Sequence, residues 1–224
     1  VLSELATLVL SLDTTLAHWV SLYGPHVLWL IAAVILAETG LVVAPFLPGD
    51  SLLFLTGTIA ATAGLNVRLA VAVLIAAAVL GDAVNFSVGR YAAPFVMRKL
   101  GGRWLRQSHL DATNRYFARY GAATIALARF VPFVRTLAPF LAGAGKMPYK
   151  RFAAFNLLGA AVWVGALVYA GVFFGGLPFV KERLSLITLG IVLVSVLPAV
   201  VTALQARTSN ARAQDGSSEL PKLP

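Results

Sequence analysis

Long uncharged apolar stretches alternate with short polar breaks along this chain. Thr14 to Ala37, Leu69 to Gly89, Phe152 to Val180 and Leu184 to Ala206 each reach the roughly 20 residues that a helix needs to cross a hydrocarbon core of about 30 Å. Asp82 is the one charged residue among them, and the third stretch has room for an external turn at Gly175-Gly176-Leu177-Pro178. Two further apolar stretches read differently. Glu38 to Gly64 is interrupted by Pro45, Pro48, Gly49 and Asp50, and Tyr120 to Gly145 by Arg129, Pro132, Arg135 and Pro139. Proline removes a helical hydrogen bond and crowds the preceding turn, so neither stretch is expected to form one straight helix. Each half, about 10–12 residues, reaches only about 15–18 Å. Two such arms joined by a Pro/Gly break predict a re-entrant helical hairpin.

Charge orients these elements. The segment Arg90 to Arg119 carries seven Lys/Arg (90, 98, 99, 103, 106, 115, 119) against Asp111 alone, which marks it as cytoplasmic. Lys146, Lys150 and Arg151 mark the far end of the second broken stretch the same way, so that stretch enters and leaves on one side. Leu69–Gly89 then comes from the external side, and the first broken stretch dips in from outside. Arg207 and Arg212 place the last span's end inside. The expected architecture is an all-α polytopic membrane protein with four transmembrane helices and two re-entrant hairpins entering from opposite faces as an inverted repeat. It forms a single integral membrane domain over residues 1–207 and a polar, disordered cytoplasmic tail over 208–224. Only Pro45-Phe46 and Pro132-Phe133 align between the halves at residue level.

Composition narrows the function classes. Hydrophobic residues make up 59% of 224 and charged residues 12%, too few polar side chains to cover a soluble globule. The mean hydropathy is +0.83. The excess of 18 Lys/Arg over 9 Asp/Glu is the signature of basic cytoplasmic loops and not of nucleic-acid binding. The absence of cysteine excludes disulfides and thiol catalysis, and three scattered histidines make no metal site. No cofactor is expected. Val1 to Asp13 has no basic residue and so lacks the n-region of a signal peptide.

Five ionisable residues fall inside the apolar elements: Glu38, Asp50, Asp82, Arg129 and Arg135. A charge at membrane depth costs about 2.5–3.5 kcal/mol on insertion scales, so each needs a partner or a wet cavity. Irregular backbone at that depth has the same need, and two broken hairpins of opposite charge are therefore expected to share one polar cavity. Arg129 and Arg135 lie on either side of Pro132, and a break there turns both guanidiniums one way. Their fork of donors suits phosphate or carboxylate, which makes an anion clamp or, structurally, an ion pair with Glu38 or Asp50. Glu38 and Asp50 are candidates for carrying protons, and Asp50, after Pro48-Gly49, is equally placed to cap a helix. Asp82, Asn85 and Asn156 are secondary candidates. Their spacing with Gly81, Gly89, Gly159 and Trp163 fits helix contact better than chemistry.

These residues resemble the DedA family of bacterial inner-membrane proteins, related to the VTT-domain lipid scramblases. The matching stretches are Glu38-Thr39-Gly40, Phe46-Leu47-Pro48-Gly49-Asp50-Ser51-Leu52-Leu53, Gly89-Arg90 and Arg129-Phe130-Val131-Pro132-Phe133-Val134-Arg135-Thr136. Ala142-Gly143 and Asn156 to Trp163 follow in order, so the likeness covers roughly Leu28 to Gly175. Thr39 stands where some members have Asn. The resemblance implies facing re-entrant hairpins and proton-motive-force-linked transport of a lipid phosphate, undecaprenyl phosphate foremost, across the bacterial inner membrane. It assigns the essential acids and arginines to Glu38, Asp50, Arg129 and Arg135.

The partners so implied are membrane lipids and protons, with self-association left open. The alternatives are a phosphatidylethanolamine flippase or scramblase and a small-ion transporter. A lipid phosphatase lacks a histidine near the arginines to act as base, so an enzyme is not expected.

Overall fold

A computed structural model describes residue 19 and residues 22–41, 49–63, 65–99, 123–175 and 177. The described residues form helices, turns and coil, without a strand. After a short 3-10 turn at Gly24–His26 come α1 (Val27–Gly40), α2 (Gly49–Ala63) and α3 (Val67–Lys99). The second half contributes α4 (Ala123–Ala128), α5 (Pro132–Ala144) and α6 (Tyr149–Phe174). Two helices are long and apolar enough to cross a membrane, over Val67–Ala92 and Tyr149–Phe174, with mean hydropathies of 2.2 and 2.1. At 1.5 Å per residue, α2 and α5 extend only about 20–23 Å, short of a hydrocarbon core of about 30 Å.

These boundaries refine the expected ones. Glu38 does not open the first broken stretch but lies in the last turn of α1, which runs on to Gly40. Leu41 is extended, and no proline follows until Pro45, so nothing in the chain stops the helix at Glu38. Helix α3 likewise runs past Gly89 to Lys99, into the start of the basic segment and through Pro94. The second broken stretch is indeed two helices, α4 and α5, with a non-helical link at 129–131. Helix α6 ends at Phe174, where the chain reaches Gly175. Pro45, Pro48, the span Leu184–Ala206, the tail and most of the basic segment lie outside the described residues, as does the start of the span at Thr14.

Buried aliphatic side chains from α1, α2, α3 and α6 form one core, including Ile35, Leu53, Leu74 and Val168. A second core gathers around Phe86 of α3, whose ring stacks on Phe152 at 4.4 Å. The outward faces of the long helices are apolar too. Leu80, Val84 and Val88 on α3 and Leu158, Val162 and Phe173 on α6 are exposed. A helix apolar on its outer face as well as its inner one belongs in hydrocarbon.

The halves are joined by two glycine crossings of the same design. On α2 and α6, a Cβ at Gly57 would strike the carbonyl oxygen of Val168 and crowd the nitrogen of Val172, while one at Gly171 would strike the carbonyl oxygen of Phe54 and crowd the nitrogen of Thr58. On α5 and α3, Gly143 stands in the same way against Phe86 and Arg90, and Gly89 against Phe140. The spacing repeats as well, Phe54 to Gly57 matching Phe140 to Gly143, and Phe86 to Gly89 matching Val168 to Gly171. The second arm of each broken segment therefore crosses the long helix of the other half, backbone against backbone. This is the contact pattern that two copies of one unit related by a two-fold axis produce.

Candidate functional site

The link between α4 and α5 sets the two arginines apart. The backbone N–H groups of Arg129, Phe130 and Val131 donate to Ala126, Leu127 and Ala128 at 3.0–3.4 Å, a tightened last turn. Val131 is extended (φ −116°, ψ 107°) and Pro132 begins α5, where its missing N–H removes no helical bond. Arg135 then donates its backbone N–H to Val131 at 2.9 Å. Arg129 thus follows one helix and Arg135 lies in the first turn of the next, and both side chains reach a single indole. The guanidinium carbons stand 4.7 Å (Arg135) and 5.6 Å (Arg129) from the Trp163 ring centroid.

Arg135 holds the acids of the first broken stretch. Its Nη2 donates to Glu38 Oε1 on α1 and its Nη1 to Asp50 Oδ1 on α2, at 2.8 Å for the latter. One guanidinium fork therefore ties together both ends of the 41–48 segment. Asp50 Oδ1 accepts a second bond, from Trp163 Nε1 at 3.0 Å. Gly49 sits against the Glu38 carboxylate, where any Cβ would collide with Oε2 and Cδ, which explains a glycine at that position. The Asp50 side chain is 18% exposed against 0% for Glu38, so the cluster is most accessible at Asp50.

Arg129 has different partners. Its Nη2 donates to Asp82 Oδ2 at 2.6 Å and to Asn156 Oδ1 at 2.5 Å. Asn156 passes its own N–H on to the Val79 carbonyl at 3.2 Å, joining α6 to α3. Asn85 Nδ2 donates to the carbonyls of Thr39 (3.1 Å) and Thr136 (2.8 Å), pinning α1 and α5 to α3. Asp82, Asn85 and Asn156 do join helices, as their spacing predicts, and Asp82 and Asn156 also accept from Arg129. Asp82 and Trp163 both fall near the middle of the two long apolar helices.

Three carboxylates thus face two guanidiniums, leaving one negative charge in excess when all are ionised. Of the arginine donors, Arg129 Nε and Nη1 and Arg135 Nε make no hydrogen bond within the protein among the described residues. Both arginines are buried, at 3% and 5% exposure. Donors of that kind, held in low dielectric, attract an anion far more strongly than surface arginines do. Of the other predicted positions, Pro139 lies inside α5 and Pro132 at its start. Removing one partner of a buried pair costs about 3–5 kcal/mol. Asp82→Leu is therefore expected to lower the thermal stability of the purified protein sharply, and Asp82→Asn, which keeps the shape, much less. Size-exclusion after heating measures both.

Outward apolar helices around a buried cluster of paired charges define a helical membrane protein with a polar core. Residues 24–173 match the VTT domain family, and the chain belongs to this DedA/VTT family. It is 45% identical over 207 residues to "Protein DedA" of Escherichia coli strain K12, covering 92% of this chain and 94% of that one. It is 40% identical over 192 residues to "Uncharacterized membrane protein Rv0364" of Mycobacterium tuberculosis strain H37Rv, covering 85% and 83%. "Inner membrane protein YghB" of Escherichia coli strain K12 is 36% identical over 171 residues, covering 73% and 76%. No solved structure matches the chain.

Proposed function

We propose that this protein translocates a lipid phosphate, undecaprenyl phosphate foremost, across the bacterial cytoplasmic membrane in a proton-linked cycle that supports the cell envelope. The observation that carries this reading is the pair of buried arginines on one indole, each engaged by carboxylates and each with donors to spare. The phosphate docks between Arg129 and Arg135 while the prenyl chain stays in the surrounding lipid. In the resting state Glu38 and Asp50 occupy Arg135, so phosphate and carboxylates compete for the same fork. Protonating an acid neutralises it, removes the excess negative charge and frees the guanidinium, which links proton uptake to anion binding. Asp50, the most accessible carboxylate, is the point of proton entry. Residues 90–119 and the tail face the cytoplasm in this arrangement.

Native mass spectrometry of the purified protein tests the reading. Undecaprenyl phosphate is expected to bind in preference to phosphatidylethanolamine and phosphatidylglycerol, and the Arg129→Lys/Arg135→Lys double variant to lose most of that preference. Equal binding of all three lipids by both proteins would make the arginines structural. Preference for phosphatidylethanolamine would identify a phospholipid flippase instead.

A further inference from the structure

Trp163 joins the two halves of the cluster. Its ring lies against both guanidiniums, at 4.7 and 5.6 Å, and its Nε1–H donates to Asp50 Oδ1 at 3.0 Å. The residue is 4% exposed. The five ionisable groups around it come from every neighbouring element: Glu38 on α1, Asp50 on α2, Asp82 on α3, Arg129 at the end of α4 and Arg135 on α5. No other aromatic residue among the described ones contacts both arginines.

Two consequences follow from that geometry. Two guanidiniums beside one ring carry like charges, and the negative face of an indole offsets their repulsion while drawing both toward it. Asp50 faces the opposite difficulty. If Arg135 turns from its carboxylates to a phosphate, Asp50 loses that ion pair in a part-buried site, and the indole N–H still donates to it. We infer that Trp163 is a positioning residue of the anion site: its ring holds the two guanidiniums as one set of donors, and its N–H keeps Asp50 hydrogen-bonded while Arg135 is on the phosphate. This rests on the lipid-phosphate reading above. The indole is then also a reporter, because ligand binding rearranges the cations on its face and the acceptor at its edge.

The test separates the two ideas. The chain has four tryptophans, and replacing Trp19, Trp29 and Trp104 with Phe leaves Trp163 as the only one. The purified full chain is titrated with farnesyl phosphate, and with farnesol as the uncharged control, while its emission is recorded. Binding is measured independently by native mass spectrometry in wild type, Trp163→Phe and Trp163→Leu. Farnesyl phosphate is expected to change the emission saturably and farnesol to leave it unchanged. Trp163→Phe, which keeps a ring and loses the N–H, should bind about tenfold more weakly. Trp163→Leu should lose a further factor of about ten, so that Phe partly rescues what Leu loses.

If farnesyl phosphate binds wild type but the emission does not move and the Phe variant binds equally well, the inference on Trp163 is overturned and the lipid-phosphate reading stands. If wild type fails to bind farnesyl phosphate, that reading falls and takes the inference with it. Should Trp163→Leu not fold, the emission and the Phe variant decide alone.

Discussion

Replacing Arg135 with lysine is expected to cut translocation by about tenfold or more while leaving a folded protein, since a charged hydrogen bond in a buried site is worth about 1.5–3 kcal/mol. The reason is geometric. Arg135 uses Nη1 for Asp50 and Nη2 for Glu38, two acceptors on two different helices. An ammonium keeps the charge but is a single point on a flexible stem, and it cannot span both carboxylates with a fixed planar fork. Arg135→Ala goes further, removing the guanidinium that both Glu38 and Asp50 bind. It should abolish both transport and stable folding unless the acids are replaced with it. The triple variant Glu38→Gln/Asp50→Asn/Arg135→Gln should recover a folded protein that does not translocate. Recovered fold in that variant shows that the acids left without their guanidinium are what unfold Arg135→Ala, and transport surviving Arg135→Lys unchanged would count against bidentate docking.

The glycine crossings carry the second large effect. A Cβ at Gly57 or Gly143 would overlap a carbonyl oxygen of the facing helix, and backbone cannot swing aside as a side chain can. Overpacking of this kind costs about 1–3 kcal/mol for a small addition, and more as the side chain grows. Gly57→Ala and Gly143→Ala are expected to lower the melting temperature in detergent, and Gly57→Leu and Gly143→Leu to prevent assembly of the bundle. Gly165 on α6 supplies the control, since a Cβ there meets nothing within 4 Å. Gly165→Ala should be neutral or slightly stabilising, because alanine is the better helix former by about 1 kcal/mol. If Gly165→Ala and Gly143→Ala melt alike, the crossings do not hold the halves together as described.

The sequence made some of this legible and hid the rest for identifiable reasons. Glu38, Asp50, Arg129 and Arg135 stand out because each is an expensive charge in an apolar stretch, and the break at Pro132 correctly brings both guanidiniums to one place. Which acid pairs with which arginine was not readable, because pairing depends on how five separate helices meet. Asp82 and Asn156 were weighed below their worth, since an i,i+3 pattern of small and amide residues is the ordinary mark of helix contact. The count of three acids against two arginines was the available clue that Asp82 needed a partner. Trp163 was legible only as a helix-contact position and as the end of a family-matching stretch, because an apolar helix uses tryptophan freely. The stripe of Gly81, Asn85 and Gly89 did point to close contact, and Gly89 makes it with α5. Its counterpart in Gly57 and Gly171 is partly visible in sequence: Phe54-Leu55-Thr56-Gly57 resembles Phe140-Leu141-Ala142-Gly143, while Val168 to Gly171 shares only its glycine with Phe86 to Gly89.

The most direct test of the account is translocation itself, followed in proteoliposomes with a fluorescent prenyl phosphate whose emission is quenched chemically from one side only. Wild type should move the lipid, faster under an imposed pH gradient than without one, and the Arg129→Lys/Arg135→Lys variant, checked to be folded, should move it at about a tenth of that rate or less. Translocation at the wild-type rate by the double variant would contradict the claim that these two arginines carry the phosphate.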